Sequence, residues 1–159
     1  MRVGWGCDAH RFGGPGRTLL GGVVADGARG VEATSDGDVL AHAVADALLG
    51  AAALGDLGTL FPSHDPRWHR ADSMSLLAEV VARVAAAGYR VASLDATVIA
   101  EEVRVAPHRE AIRGGLAVAL EIDVAAVSVK ATTTDGLGFL GRDEGLAAVA
   151  VVVLAERGA

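Results

Sequence analysis

At 159 residues, 52% of them hydrophobic and 21% charged, the chain is long enough for one domain with its own core and too apolar to be disordered. No apolar run reaches the roughly 18 residues of a membrane span, and no long apolar stretch follows the N-terminus, so neither a membrane segment nor a secretory signal is expected and a cytoplasmic location is. A net charge of −6 argues against non-specific nucleic-acid binding, and the lone Cys7 excludes an internal disulfide framework.

In chain order, Arg2 to Cys7 reads as a first strand, and Asp8 and His10 follow at period two, so both point to one side of an extended segment. GGPG at 13–16 marks a turn. Thr18 to Val24 reads as a second strand with a glycine pair, and Asp26 to Ala33 as a loop. Ser35 offers an N-cap, with Asp38 in a capping-box-like place, to a helix whose core face is Leu40, Ala43, Val44, Ala47, Leu48 and Ala51. Asp38, His42 and Asp46 fall at i, i+4 and i+8 on the opposite face. Gly55 to Gly58 reads as a turn, and residues 61–73 as a Pro-containing loop anchored by Trp68. Asp72 caps a helix from Ser73 to Ala87 that stops at Gly88. Tyr89 to Ala100 is a strand, Pro107 opens a helix to about Leu120, Val127 to Thr133 is a strand, and Leu146 to Leu154 is a final apolar strand.

That last run, LAAVAVVVL, has the pattern of a strand buried on both faces. The expected class is α+β, a single domain over 1–159 with a small mixed sheet and helices on one face. Two ways of covering the other face stay open: sheet packed on sheet in a symmetric oligomer, or helices on both faces.

Three constellations have the residue types for chemistry. Asp8, His10 and His42 form a donor set suited to zinc with one position left open. Asp36, Asp38, Asp46 and Asp56 are acidic. Helix N-terminal charge accounts for Asp36 and Asp38, whereas Asp56, on a tight turn, is placed to accept from a sugar diol. The segment from Lys130, the chain's only lysine, through Thr132, Thr133, Thr134, Asp135 and Gly138 to Phe139, with Arg142 beyond, offers hydroxyls, backbone amides and charge to a polyphosphate, and Asp135 could hold Mg²⁺ against it. The competing reading of that segment is a β-hairpin. His64, His69 and His108 read as surface histidines.

Together the stretches GWGCDAHRFG (4–13), LLGGV (19–23), SDGDVLAHAVADALLGAAALGDLGTLFP (35–62), ADS (71–73) and VKATTTDGLGFLGRDEG (129–145) resemble the 2-C-methyl-D-erythritol 2,4-cyclodiphosphate synthase family of the non-mevalonate isoprenoid pathway. The resemblance implies a homotrimer with active sites between subunits, and Zn²⁺, or another divalent transition metal, on Asp8, His10 and His42. It implies Mg²⁺ or Mn²⁺ bridging phosphates near Asp135. The implied substrate is 4-diphosphocytidyl-2-C-methyl-D-erythritol 2-phosphate, closed to the cyclic diphosphate with release of CMP. Implied catalytic residues are Thr34, Thr133 and Asp135. Implied substrate contacts are Asp8, His10, Thr34, Ser35, Asp46, Asp56, Leu57, Gly58, Phe61 and Asp65 on one side. Ala100, Arg104, Val105, Ala106, Ala131, Thr132, Thr133, Thr134, Asp135, Phe139 and Arg142 make up the other, with Ala100 to Ala106 and Ala131 to Thr133 matching a cytidine pocket.

The chain departs from that family's pattern at Thr34, where a histidine is usual, at Ser63-His64 in place of Asp-Thr, and at His69-Arg70 in place of Lys-Gly. Asp135 replaces a common Glu, Arg104 a frequent Lys, and Asp143 a Gly. With Glu144, Asp143 is expected to concentrate negative charge near the threefold axis. These departures keep two alternatives in view: a metal-dependent nucleotide phosphohydrolase, and a non-catalytic binder of cytidine nucleotides or isoprenoid diphosphates.

Overall fold

The computed structural model describes residues 1–158. Its elements are β1 (Arg2–Gly14), β2 (Thr18–Leu20), β3 (Val23–Asp26), β4 (Gly30–Val31), α1 (Val39–Ala52), α2 (Leu57–Leu60), α3 (Ser73–Ala86), β5 (Tyr89–Ile99), α4 (Arg109–Leu120), β6 (Val127–Thr132), α5 (Gly138–Gly141) and β7 (Gly145–Glu156). Five strands form one sheet in the order β4-β1-β7-β5-β6, antiparallel except for the parallel β5–β6 pair, and β2 and β3 form a separate hairpin. Helices α1, α3 and α4 make a single layer on one face, as the α+β reading expects.

The packing of α1 on β1 follows from two glycines. A Cβ on Gly4 would lie 1.9 Å from the Ala47 carbonyl oxygen, and one on Gly6 would lie 2.1 Å from that of Ala43. The helix therefore rests on bare strand backbone. Gly4, Gly6, Asp8 and His10 alternate onto the same side of β1, so the close seat also brings the first turns of α1 against Asp8 and His10.

Several local expectations are corrected. Asp38, not Ser35, is the N-cap of α1. Its fully buried carboxylate accepts from the N–H groups of Ala41 (3.0 Å), Gly21 (2.9 Å) and Gly22 (2.7 Å). The polar stripe of α1 thus faces protein at Asp38 and His42, the latter only 8% exposed. Thr18 to Val24 is not one strand: Gly21 and Gly22, at φ +57° and +78°, turn it into the β2–β3 hairpin. Gly30–Val31, read as loop, pairs with β1. Gly55–Gly58 opens the short helix α2, capped by Asp56. A 3₁₀ turn, Ala106–His108, takes up Pro107 before α4 begins. The segment after β6 ends in α5 rather than in a hairpin.

From Val149 onward the final strand is buried on one face only within the chain. Leu146, Ala148, Ala150, Val152 and Leu154 meet the helices, whereas Val151 on the other side is 38% exposed. Val3 and Trp5, which pair with Val153 and Val151, are 67% and 65% exposed and extend this bare apolar face. Lys130 lies on the same face, where its Nζ donates to Asp95 at 2.6 Å. It balances a neighbouring strand and holds the Asp95 carboxyl below its ordinary range, so it is not a free cation awaiting phosphate.

Candidate metal centre

Asp8 and His10 come from β1 and His42 from the first turn of α1. Asp8 Oδ2 lies 2.9 Å from His42 Nδ1 and 3.1 Å from His10 Nε2, and the two nitrogens are 3.2 Å apart. These sides nearly match the face of a tetrahedron with arms of about 2.0–2.1 Å, whose edge is about 3.3–3.4 Å. Burial alone would raise the Asp8 carboxyl, but hydrogen bonds and charge from both imidazoles outweigh it and hold the group well below the usual carboxylate range. Two imidazoles and an ionised carboxylate, open on one side, fit a divalent transition metal.

The orientation of His42 is fixed by residues that sequence reading assigned to other work. Its Nε2 lies 2.9 Å from Ser73 Oγ and 3.1 Å from Ser35 Oγ. The Ser73 hydroxyl donates to Asp36, whose other oxygen accepts the Ser73 N–H at 3.1 Å. Having given its only proton to that carboxylate, Ser73 accepts from His42, so Nε2 carries the hydrogen and Nδ1 keeps its lone pair for a metal. Asp36, read as a helix-terminal charge, is thus a support one step behind the centre. Ser73 was legible only as the residue after a cap. We expect Ser73→Ala to weaken metal affinity about 10–100-fold. Chelator competition measures this, and an unchanged affinity would remove Ser73 from the centre's support.

A cavity of about 290 Å³ adjoins the three ligands and brings together Asp8, His10, Thr34, Ser35, His42, Asp46, Leu57, Gly58 and Phe61 among the expected site residues. Asp46 accepts the Leu57 N–H at 2.7 Å, which fixes the start of α2 over the cavity; burial, with help from the Asp56 and Asp8 charges, raises its carboxyl against that hydrogen bond. Trp68 also lines this space, edge-on to Phe61 with ring centroids 4.9 Å apart. Its buried Nε1–H has no protein acceptor, so the loop anchor carries an unused donor as well.

Other expected contacts lie elsewhere. Asp56 is outside the cavity lining, with its Oδ1 taking the Thr59 N–H and hydroxyl, both at 2.7 Å. Asp65 is engaged by Arg67 at 2.6 Å. Phe139 lies across a separate cavity beside Ala9, His10 and Arg11. Arg142 is paired with Glu144 at 2.6 Å, and Asp143 with Arg29, so the expected concentration of negative charge there is neutralised locally. Ala100, Arg104, Val105 and Ala106 follow β5, while Ala131 and Thr132 end β6 and Thr133, Thr134 and Asp135 follow it. Thr133 Oγ1 and Asp135 Oδ1 are 3.3 Å apart. This group sits at the same end of the sheet as His10 but three strand spacings away, about 14 Å. One chain therefore assembles the metal centre without the threonine segment.

The profile of the YgbB family matches residues 1–155. A 2-C-methyl-D-erythritol 2,4-cyclodiphosphate synthase from Moorella thermoacetica is 56% identical over 158 residues, covering 99% of this chain and 96% of that protein. The enzyme of that name from Pseudomonas aeruginosa PAO1 is 54% identical, covering 99% of this chain and 100% of its own. Among solved structures, the bifunctional IspDF of Campylobacter jejuni matches with a TM-score of 0.94 at 41% identity, over 98% of this chain and 42% of that one. IspF of Plasmodium falciparum in complex with CDP matches with a TM-score of 0.86 at 29% identity, over 99% and 97%. The chain belongs to the YgbB family, with the 2-C-methyl-D-erythritol 2,4-cyclodiphosphate synthases as its relatives over nearly its full length.

Proposed function

We propose that the chain is a phosphorus–oxygen lyase that converts 4-diphosphocytidyl-2-C-methyl-D-erythritol 2-phosphate to 2-C-methyl-D-erythritol 2,4-cyclodiphosphate and CMP. The observation that carries this reading is the Asp8, His10, His42 set opening on a cavity that also holds Thr34, Ser35 and Asp46. An oxygen of the 2-phosphate attacks the β-phosphorus. The bond from that phosphorus to the bridging oxygen breaks, and CMP leaves with the electron pair; water is not a reactant. Bound Zn²⁺ on the three ligands and Mg²⁺ near Asp135 would supply charge neutralisation for the phosphoryl groups.

The chain's own contribution is positional. Asp8, His10 and His42 fix where one phosphate can sit, and Ser35 and Thr34 place hydroxyls beside it. The Leu57–Gly58 start of α2, pinned by Asp46, bounds the polyol end, and Trp68 Nε1–H offers a donor that no protein atom uses. Thr132, Thr133 and Asp135 suit the diphosphate and Ala100 to Ala106 the nucleoside. Since these lie three strands from the metal centre, a neighbouring subunit must bring them to it. The bare Val3–Trp5–Val151 face supports a homotrimer closed sheet against sheet. Sedimentation equilibrium at three times the chain mass is the expected result.

Turnover of the diphosphocytidyl substrate to CMP and the cyclic product, followed by phosphorus NMR, tests the reaction. CMP released with the uncyclised 2,4-bisphosphate instead would point to the hydrolytic alternative. Thr34 lines the cavity and can donate a hydrogen bond but has no positive charge. We expect Thr34→His to raise turnover about tenfold through added stabilisation of developing phosphoryl charge. A neutral or lower rate would mean that another group already does this.

A further inference from the structure

A second cavity, of about 500 Å³, lies on the other side of the 33–36 segment and is used by no step of the proposed reaction. Arg17, His69 and Arg70 line it, together with the apolar Leu19 and Val31. Arg17 and Arg70, like Arg2, Arg11, Arg90, Arg104, Arg109 and Arg157, have no carboxylate partner among the described residues, whereas Arg29, Arg67, Arg83, Arg113 and Arg142 do. The one acid on the lining, Asp36, is already engaged by both the N–H and the hydroxyl of Ser73.

Arg70 also stands at φ +59°, in the left-handed region that side chains disfavour. Ala53 and Glu121 share that conformation as helix C-caps, and Arg70 adopts it just past the C-cap of the 3₁₀ turn Pro66–Trp68. Its N–H donates to the Thr34 carbonyl at 2.7 Å, which pins the strained residue against the wall of the cavity. Glycine would hold the same backbone without strain.

We infer that this cavity binds a small organophosphate, its phosphate on Arg17 and Arg70 and its carbon body against Leu19 and Val31. Two guanidinium groups free of acids offer planar donor forks that match phosphate oxygens, and the volume is that of a small-molecule site rather than of a single ion. Ser35 lines both this cavity and the metal-centre cavity, and Asp36 holds the Ser73 that orients His42. An occupant therefore presses on the support of the metal centre from behind. The inference stands on Arg17 and Arg70 and is independent of the reaction proposed above.

Phenyl phosphate, titrated into ¹⁵N-labelled full-length protein loaded with Zn²⁺, tests it. Saturable shifts are expected at the amides of Gly16, Arg17 and Arg70. Arg17→Ala and Arg70→Gly should each weaken that binding about tenfold, the cost of one charge-assisted contact. Arg70→Gly should melt no lower than the parent, which separates lost binding from lost fold. Phenol should leave those amides unmoved. Shifts confined to the amides of Asp8, His10 and His42, or equal affinity in the doubly substituted protein, would overturn the inference.

Discussion

His42→Ala is expected to remove bound divalent metal and to lower turnover about a thousandfold, the order of the several kcal/mol that a metal contributes to phosphoryl transfer. The fold should survive, because α1 is held by its apolar contacts on β1 and β7 and by Asp38 rather than by the imidazole. The remaining Asp8 and His10 make two ligands, too few for a stable tetrahedral site. Chelation should inactivate the parent reversibly, with Zn²⁺ restoring it, and metal should not rescue the variant. Elemental analysis of metal per chain decides the point: an unchanged zinc content would sink the ligand assignment even if activity fell.

Asp38→Ala should be the most destabilising single change at the site's periphery, by about 3–5 kcal/mol. Three backbone N–H groups lose their acceptor, each costing roughly 1–3 kcal/mol when buried and unpaired, with partial relief from entering water. Two of those groups, on Gly21 and Gly22, belong to the β2–β3 hairpin, so the substitution uncouples that hairpin from α1 as well as uncapping the helix. Burial pushes the Asp38 carboxyl up while the three N–H bonds oppose that rise. Asp38→Asn keeps one acceptor oxygen and should cost less than half as much. Denaturant midpoints at constant m measure both. A loss under about 1 kcal/mol for Asp38→Ala would show that the hairpin and the helix do not depend on this carboxylate.

How much of this was legible before folding depends on the range of the forces involved. The period-two placement of Asp8 and His10, the span of the main helix, the Asp72 cap at α3 and the β5, β6 and β7 strands all rest on interactions within a few residues. Linear sequence carries those directly. The three candidate metal ligands were legible as residue types, although chemistry alone could not place His42 against β1. That proximity depends on Gly4 and Gly6 letting the helix sit on bare backbone.

Other assignments were undetermined because local chemistry offers equal candidates. Ser35 and Asp38 are both competent caps; the Gly21 and Gly22 donors, 17 and 16 residues away, select Asp38. Asp143 reads as one of two adjacent acids until Arg29 arrives from the β3–β4 connection. Lys130 reads as a phosphate ligand until β5 brings Asp95 alongside. Ser73 gains its role only where α3 meets α1 beneath His42. The α+β class, the candidate ligand types and the family resemblance reside in local spacing and residue chemistry, and so can be read along the chain. Which polar groups meet, and that the threonine segment stands three strands from the candidate metal centre, emerge only on folding, because the partner of a buried charge is chosen by long-range packing and not by its neighbours in the chain.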